Sequence, residues 1–244
     1  MEVHEITRFL SMAKFAFLAI VLAIFSTGIA AQTADTNAVS IVKSSPDSYK
    51  YLIPPALTIS SGILISNSIG WPFPASDARS FVQHNIGFAH TEVDNYLQFA
   101  PAAAVGGLQL SGIKGKNSVS DEFFLYVLSL ALQTVIVYPL KEYTGVLRPD
   151  GSARNSMPSG HTSTAFAGAT FMYLEYRDVS PWYGVAAYTS AAGIGSMRIM
   201  RDRHWLSDVL VGAGIGILCT RAAYALYPVI KKKARKHCAG IRVK

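Results

Sequence analysis

Three short stretches gather cations, histidine and carboxylate in a chain that is otherwise poor in charge. The first runs from Lys141 to Arg148 and Pro149, the second is Pro158-Ser159-Gly160-His161, and the third carries Arg198, His204 and Asp208. Lys141, Arg148 and Arg198 supply three positive groups; arginine's planar fork matches phosphate oxygens, and lysine acts as a point charge. Together they suit a tetrahedral anion. Ser159 and Gly160 fall where a helix is expected to open, so unpaired backbone N–H groups and the positive end of the helix dipole would add to that cradle. Gly160 also lets the backbone approach closely. His204 and Asp208 are four apart and share a face if a helix begins near His204. The carboxylate then holds one imidazole nitrogen protonated, and the other becomes a nucleophilic lone pair. His161, on a separate helix, is left to protonate a departing alkoxide. A lone histidine is more often structural than catalytic, so it is the ordered set that carries this reading. No carboxylate cluster of the kind a hard cation needs is present in the sequence, and neither metal nor cofactor is expected.

The elements that must position these groups are apolar and helical. Helices are predicted over 52–70, 95–113, 122–140, 160–176, 183–200 and 207–230, which gives an all-α fold, a bundle of about six helices. The chain is 50% hydrophobic and 15% charged, with mean hydropathy +0.28, where a soluble domain carries roughly 25% charged residues. The bundle is therefore expected to be transmembrane, although the Ser-rich helices with Ser60, Ser61, Ser66 and Ser68, or Thr189, Ser190 and Ser196, would also suit a soluble all-helical domain. The segment 123–137 is the strongest span, free of charge and preceded by Ser118 and Asp121 at capping-box spacing. Gly212 and Gly216, four apart, suit close helix packing. As a nucleotide loop those glycines fail, because no strand precedes them.

One domain is expected, over 51–230. Ahead of it, 1–31 reads as a signal peptide or N-terminal anchor and 32–50 as a linker; behind it, 231–244 is a basic tail. Much of the net charge of +7 lies in that tail, at Lys231, Lys232, Lys233, Arg235, Lys236, Arg242 and Lys244. A basic cluster after an apolar helix fits anionic lipid headgroups on the cytoplasmic side, and no nucleic-acid module accompanies it. The same rule places Lys114 and Lys116 with the tail and the loops at Arg148 and His204 on the outer face. Six spans after a cleaved signal would reverse that orientation, so either residues 1–31 stay attached or one helix, the one with Pro54 and Pro55, does not cross. Cys219 and Cys238 suggest neither a bridge nor a metal site. Trp71, Trp182 and Trp205 fit an interfacial aromatic belt. His84 and His90 read as loop or interfacial residues, Arg201 and Arg203 as solvated charges or headgroup contacts, and Asp150 and Arg154 as loop-shaping residues.

The three clusters resemble the signature of the type 2 phosphatidic acid phosphatase (PAP2) superfamily: K-x6-R-P from Lys141 to Pro149, P-S-G-H from Pro158 to His161, and R-x5-H-x3-D from Arg198 to Asp208. The resemblance covers at least 122–230. It implies a PAP2-like helical core in which Lys141, Arg148, Ser159, Gly160 and Arg198 bind phosphate, His161 is the general acid, His204 the nucleophile and Asp208 its assistant. The family usually has serine immediately before the third-motif arginine; here that position is Met197, with Ser196 next to it. The chain also resembles the lipid phosphatase branch, and the phrase from Asp94 to Pro101 is similar in style to bacterial lipid A phosphatases. That resemblance implies a lipid phosphate substrate, a membrane location in a bacterial inner membrane, and a site facing the periplasm. The same cage would also serve a soluble secreted acid phosphatase or a vanadate-dependent haloperoxidase. A non-catalytic membrane binder would have no use for a nucleophile and an acid.

Overall fold

The computed structural model describes residues 52–66, 75–85 and 91–241. The N-terminal segment, the linker, Trp71 and His90 lie outside the described residues, as do the side chains of the tail beyond Lys232. Among the described residues there are eight helices and no strand: α1 (Ile53–Ser66), α2 (Ala75–Asn85), α3 (Asp94–Leu97), α4 (Ala100–Leu110), α5 (Val119–Thr144), α6 (Gly160–Tyr176), α7 (Pro181–Met200) and α8 (Leu206–Ile241). The all-α expectation holds, while the expected count of about six becomes eight for two physical reasons. The segment predicted as one helix over 95–113 is broken at Phe99 (φ −94°, ψ −6°), and Pro101 sits in the first turn of α4, where a missing N–H costs nothing. Helix α2 was not predicted because its sequence is mostly polar. Its one fully buried apolar residue, Val82, joins Ile65, Ile199, Leu206, Val209 and Leu210 in a small cluster. A further difference is at the end: α8 runs past 230, so the basic tail starts as helix.

Helix α6 is the axis of the bundle, with every residue from Thr162 to Tyr176 buried. Its Ser, Thr, Ala and Gly residues allow α4, α5, α7 and α8 to pack around it, and α8 also carries α1. The α8–α6 approach is close because of Gly212 and Gly216: a Cβ on Gly212 would stand 2.5 Å from the Ser159 carbonyl oxygen, and one on Gly216 would strike the Ser163 carbonyl. The spacing that suggested helix packing does serve it. Some polar side chains inside pair with one another, the Gln133 amide donating to Thr164 Oγ1 at 3.0 Å and Thr170 Oγ1 pairing with Tyr188 OH at 3.0 Å.

Helix α5 starts as its sequence predicts. Ser118 caps it by accepting from Asp121 N at 3.3 Å, Asp121 and Glu122 occupy the first turn where the dipole favours them, and Gly145 closes it in a left-handed conformation (φ 55°). Among the described residues, two segments are long and apolar enough to cross a membrane, Val119–Thr144 and Leu206–Lys232. The first turns Phe123, Phe124, Val127, Val135 and Tyr138 outward; the second is mostly covered by other helices. Because the helices alternate in direction, the C-terminal ends of α5 and α7 and the N-terminal ends of α6 and α8 meet at one end of the bundle. All three signature clusters sit there.

Candidate active site

The first cluster is set by the loop that follows α5. Arg148 N donates to Ala153 O at 3.0 Å, Gly151 N to Arg148 O at 3.0 Å and Ser156 N to Val146 O at 2.9 Å, which folds the loop back on itself. Asn155 sits at its centre. Its carbonyl accepts from Lys141 Nζ at 2.7 Å and its Oδ1 accepts from Arg148 Nε at 3.0 Å, so one residue orients both cations. Lys141 is within charge–charge reach of Arg148, Arg198 and Asp208, which the sequence places up to 67 positions away (208 − 141).

The second cluster opens α6. Ser159 is the N-cap, accepting from Thr162 N at 3.4 Å, and its own N–H donates to Asp208 O at 3.0 Å. A Cβ on Gly160 would meet nothing nearer than Val137 Cγ1 at 3.9 Å and Lys141 Cε at 4.0 Å. Packing within the protein therefore does not require glycine at that position.

The third cluster corrects one expectation. Helix α8 begins at Leu206, not near His204, so His204 and Asp208 do not share a helical face. Asp208 instead reaches back from the first turn: Oδ2 accepts from Trp205 N at 2.8 Å, the return half of a capping box, and lies 3.5 Å from His204 Nδ1. Ser156 Oγ donates to the same oxygen at 2.5 Å and stands 3.5 Å from His204 Nδ1. The carboxylate beside Nδ1 favours a proton there, which leaves Nε2 as the lone pair. His204 is 2% exposed and Asp208 0%. Trp205 Nε1 donates to Leu147 O at 2.8 Å and Arg203 pairs with Asp150 at 3.1 Å, tying the third cluster to the first. Trp205 is thus a strut of the site as well as an aromatic at a helix end. Asp202 adopts φ 55°, and its carboxylate receives Arg79 at 2.6 and 3.0 Å and Gln83 at 2.5 Å from α2.

Two residues outside the signature complete the site. Arg198, 5% exposed, pairs through Nη1 with Asp94 Oδ2 at 2.5 Å, and Arg201 binds the other Asp94 oxygen as well as Glu92 at 3.2 Å. Arg201 is therefore neither a solvated loop charge nor a free headgroup contact. His161 Nε2 faces Asn95 Oδ1 at 2.8 Å. Sequence reasoning assigned no role to Asp94, Asn95, Asn155 or Ser156. The last two lie just ahead of the second motif, with Met157 between, and the first two open the phrase from Asp94 to Pro101. At the departure from the family pattern, Ser196 Oγ donates back to Ala192 O at 3.0 Å and Met197 packs on the core, so Ser196 does not replace the missing serine.

Burial and the surrounding cations set the charge state of the site. Burial pulls His204 down to about 4; Asp208 opposes this and Lys141 and Arg198 add to it. His161 is likewise held at about 4, by burial first and then by Arg198, against the pull of Asp94. Burial pushes the Asp94 carboxyl up, but Arg198 and Arg201 outweigh it and hold the group below its ordinary range. At neutral pH the site thus contains two neutral imidazoles among three signature cations. Among the described residues no group of three His, Cys, Asp or Glu side chains comes together as a metal site would require.

Fold and site define a class. The family model described as PAP2 superfamily matches residues 122–232, and that span of the chain is a PAP2-superfamily domain. A curated relative, the lipid A 1-phosphatase of Porphyromonas gingivalis, is 39% identical over 209 residues, covering 81% of this chain and 45% of the relative. The chain thus spans less than half the length of that relative. Among solved structures, a crystal structure of Aquifex aeolicus LpxE is 23% identical with a TM-score of 0.46, covering 61% of this chain and 93% of that one.

Proposed function

We propose that the protein is a metal-independent lipid phosphatase working through a phosphohistidine. The observation that carries this is the meeting, at one end of the bundle, of His204 backed by Asp208 with His161 and the Lys141, Arg148 and Arg198 cations. The phosphate of the substrate binds these cations and the N–H groups at the start of α6, with Gly160 leaving room for close approach. His204 Nε2 attacks phosphorus in line, forming a P–N bond as the P–O bond to the lipid breaks. His161 gives its proton to the departing oxygen. Its pKa, low among the cations, rises once a phosphate dianion offsets their charge. Water then gives a proton to His161 and attacks phosphorus, which breaks the P–N bond and releases phosphate.

The substrate class follows from the surroundings and from the relative's name. The bare apolar face of α5 supports a membrane setting, and the P. gingivalis relative is named for lipid A 1-phosphate, so that phosphomonoester is the first to test. Lys114, Lys116, Lys231 and Lys232 lie at the end of the bundle away from the site. The positive-inside rule puts that end in the cytoplasm and the site at the periplasmic face of an inner membrane.

The test is phosphate release by purified protein in detergent, with EDTA present, from lipid A, phosphatidic acid, phosphatidylglycerol phosphate, undecaprenyl diphosphate and a soluble phosphomonoester. Release from a lipid that His204→Ala abolishes, with trapped 32P on the wild-type protein after acid-free quenching, supports the reading. Full activity in a folded His204→Ala protein refutes the mechanism, and vanadate-dependent bromide oxidation without phosphate release would favour a haloperoxidase.

A further inference from the structure

We propose that Asp94 and Asn95, adjacent on α3, are positioning residues of this site: Asp94 sets the guanidiniums of Arg198 and Arg201, and Asn95 sets the ring of His161. The inference rests on the phosphatase reading for its function and on geometry for its substance.

Asp94 is 0% exposed, and its two oxygens are divided between two arginines. With Glu92 meeting Arg201 from the surface at 3.2 Å, a buried carboxylate shared in this way fixes both arginines. It occupies only the Nη1 edge of Arg198. Arg198 Nε is buried with no hydrogen-bond partner among the described residues. An unsatisfied buried donor of this kind is costly, and a phosphate oxygen would satisfy it. Asp94 thus holds the guanidinium by one edge and leaves the other to the substrate.

Asn95 acts on the acid. An amide oxygen only accepts, so at 2.8 Å from His161 Nε2 it keeps a proton on that nitrogen whether the ring is neutral or charged. The proton that is gained and lost is then the one on Nδ1, and the ring cannot turn without breaking the bond. The charged and titratable groups around His161 are Asp94 from α3, Arg198 from α7, Arg201 and His204 from the α7–α8 turn, and Lys141, whose chain passes Gly160. Helix α3 is a firm base for this because α4, which follows it, packs directly on α6: a Cβ on Gly168 would stand 3.3 Å from Ala102 N. One dipeptide therefore fixes the distance between the anion-binding arginine and the general acid.

The decisive variant is Asn95→Asp, which keeps shape and replaces an amide oxygen by a carboxylate. In 15N-histidine-labelled protein in detergent, with His161→Gln to assign the signal, the His161 titration midpoint is expected to rise by about 1–3 units. The alkaline limb of kcat/KM should move by the same amount. Asp94→Asn, also isosteric, is expected to raise KM for the lipid phosphate and weaken inhibition by orthovanadate about 10-fold, with a smaller change in kcat. An Asn95→Asp protein that is folded and titrates His161 as the wild type does would overturn the Asn95 assignment. Unchanged KM and vanadate inhibition in Asp94→Asn would overturn the other. If the wild type releases no phosphate from any lipid while the His161 midpoint still moves, the phosphatase reading fails and the Asn95 pairing stands.

Discussion

The two ends of the bundle bury carboxylates in opposite ways. At the site end, Asp94 lies between two guanidiniums and Asp208 beside an imidazole. At the far end, Glu122 and Glu175, 4% and 1% exposed, are held by neutral donors: the Gln109 amide at 2.7 Å, the Asn117 backbone and amide at 2.8 and 2.6 Å, and the Tyr224 hydroxyl. Ion pairs at that end include Lys231–Asp121 at 2.6 Å and Arg177–Asp178 at 3.9 Å, each with one partner exposed. The buried acids of the site end are thus met by arginine and histidine, and Glu122 and Glu175 at the far end by neutral hydrogen-bond donors. The same chemical change should then have different consequences at the two ends.

The largest expected effect is Asp208→Asn. An amide beside His204 Nδ1 no longer favours the tautomer that frees Nε2, and by analogy with carboxylate–histidine pairs in hydrolases kcat should fall about 10^2–10^4-fold with thermal stability little changed. Wild-type turnover in this variant would break the comparison at the site end. Next is Gly212→Ala, which puts a Cβ 2.5 Å from the Ser159 carbonyl oxygen. Overpacking there should cost about 1–3 kcal/mol and lower kcat/KM as well, because the displaced backbone opens the phosphate cradle; a stability loss without loss of activity would separate packing from site geometry. A third is pH. His204 and His161 are held at about 4 against 6.5 when free, so between pH 6.5 and 4 the unfolded chain binds more protons than the folded one. Stability should decline as pH falls through that window and level off below it, as thermal melts in detergent would read, and replacing His161 by Gln should flatten part of the slope. The smallest effect is Glu122→Gln, the far-end match to Asp208→Asn. It faces the Gln109 amide and the Glu175 carboxyl, away from the reacting groups, so turnover should stay at the wild-type value and the melting temperature should not fall. A large loss would mean that the far end depends on charge after all.

The signature residues were legible because chemistry fixes both their types and their spacing. The helices of the bundle were legible from long apolar runs, and Ser118 and Gly145 show why α5 starts and stops where it does. What escaped has a different physical origin. Asp94 meets Arg198 across 104 positions and Asn95 meets His161 across 66, and no local pattern reports a contact that only packing creates. Helix α2 escaped because its sequence is mostly polar: Arg79 and Gln83 grip Asp202, and only Ala78, Phe81 and Val82 pack against the apolar cluster. The four-residue spacing of His204 and Asp208 suggested one helical face, whereas the carboxylate reaches them together by turning back over the first turn of α8.

Helix α8 is unbroken over 36 residues from Leu206, and at 1.5 Å per residue it is about 54 Å long. A bilayer's hydrocarbon layer is about 30 Å thick. Lys231 stands 25 residues (231 − 206) along this rod, about 37 Å from its start. On the membrane reading proposed above, the helix is a ruler: with Lys231 among the headgroups of one leaflet, its first turn reaches the headgroups of the other. The depth of His204, one residue ahead of Trp205 and that first turn, is then set by the length of the helix, and inserting or deleting a turn would raise or sink the reactive nitrogen relative to a lipid-borne phosphate without altering any side chain around it.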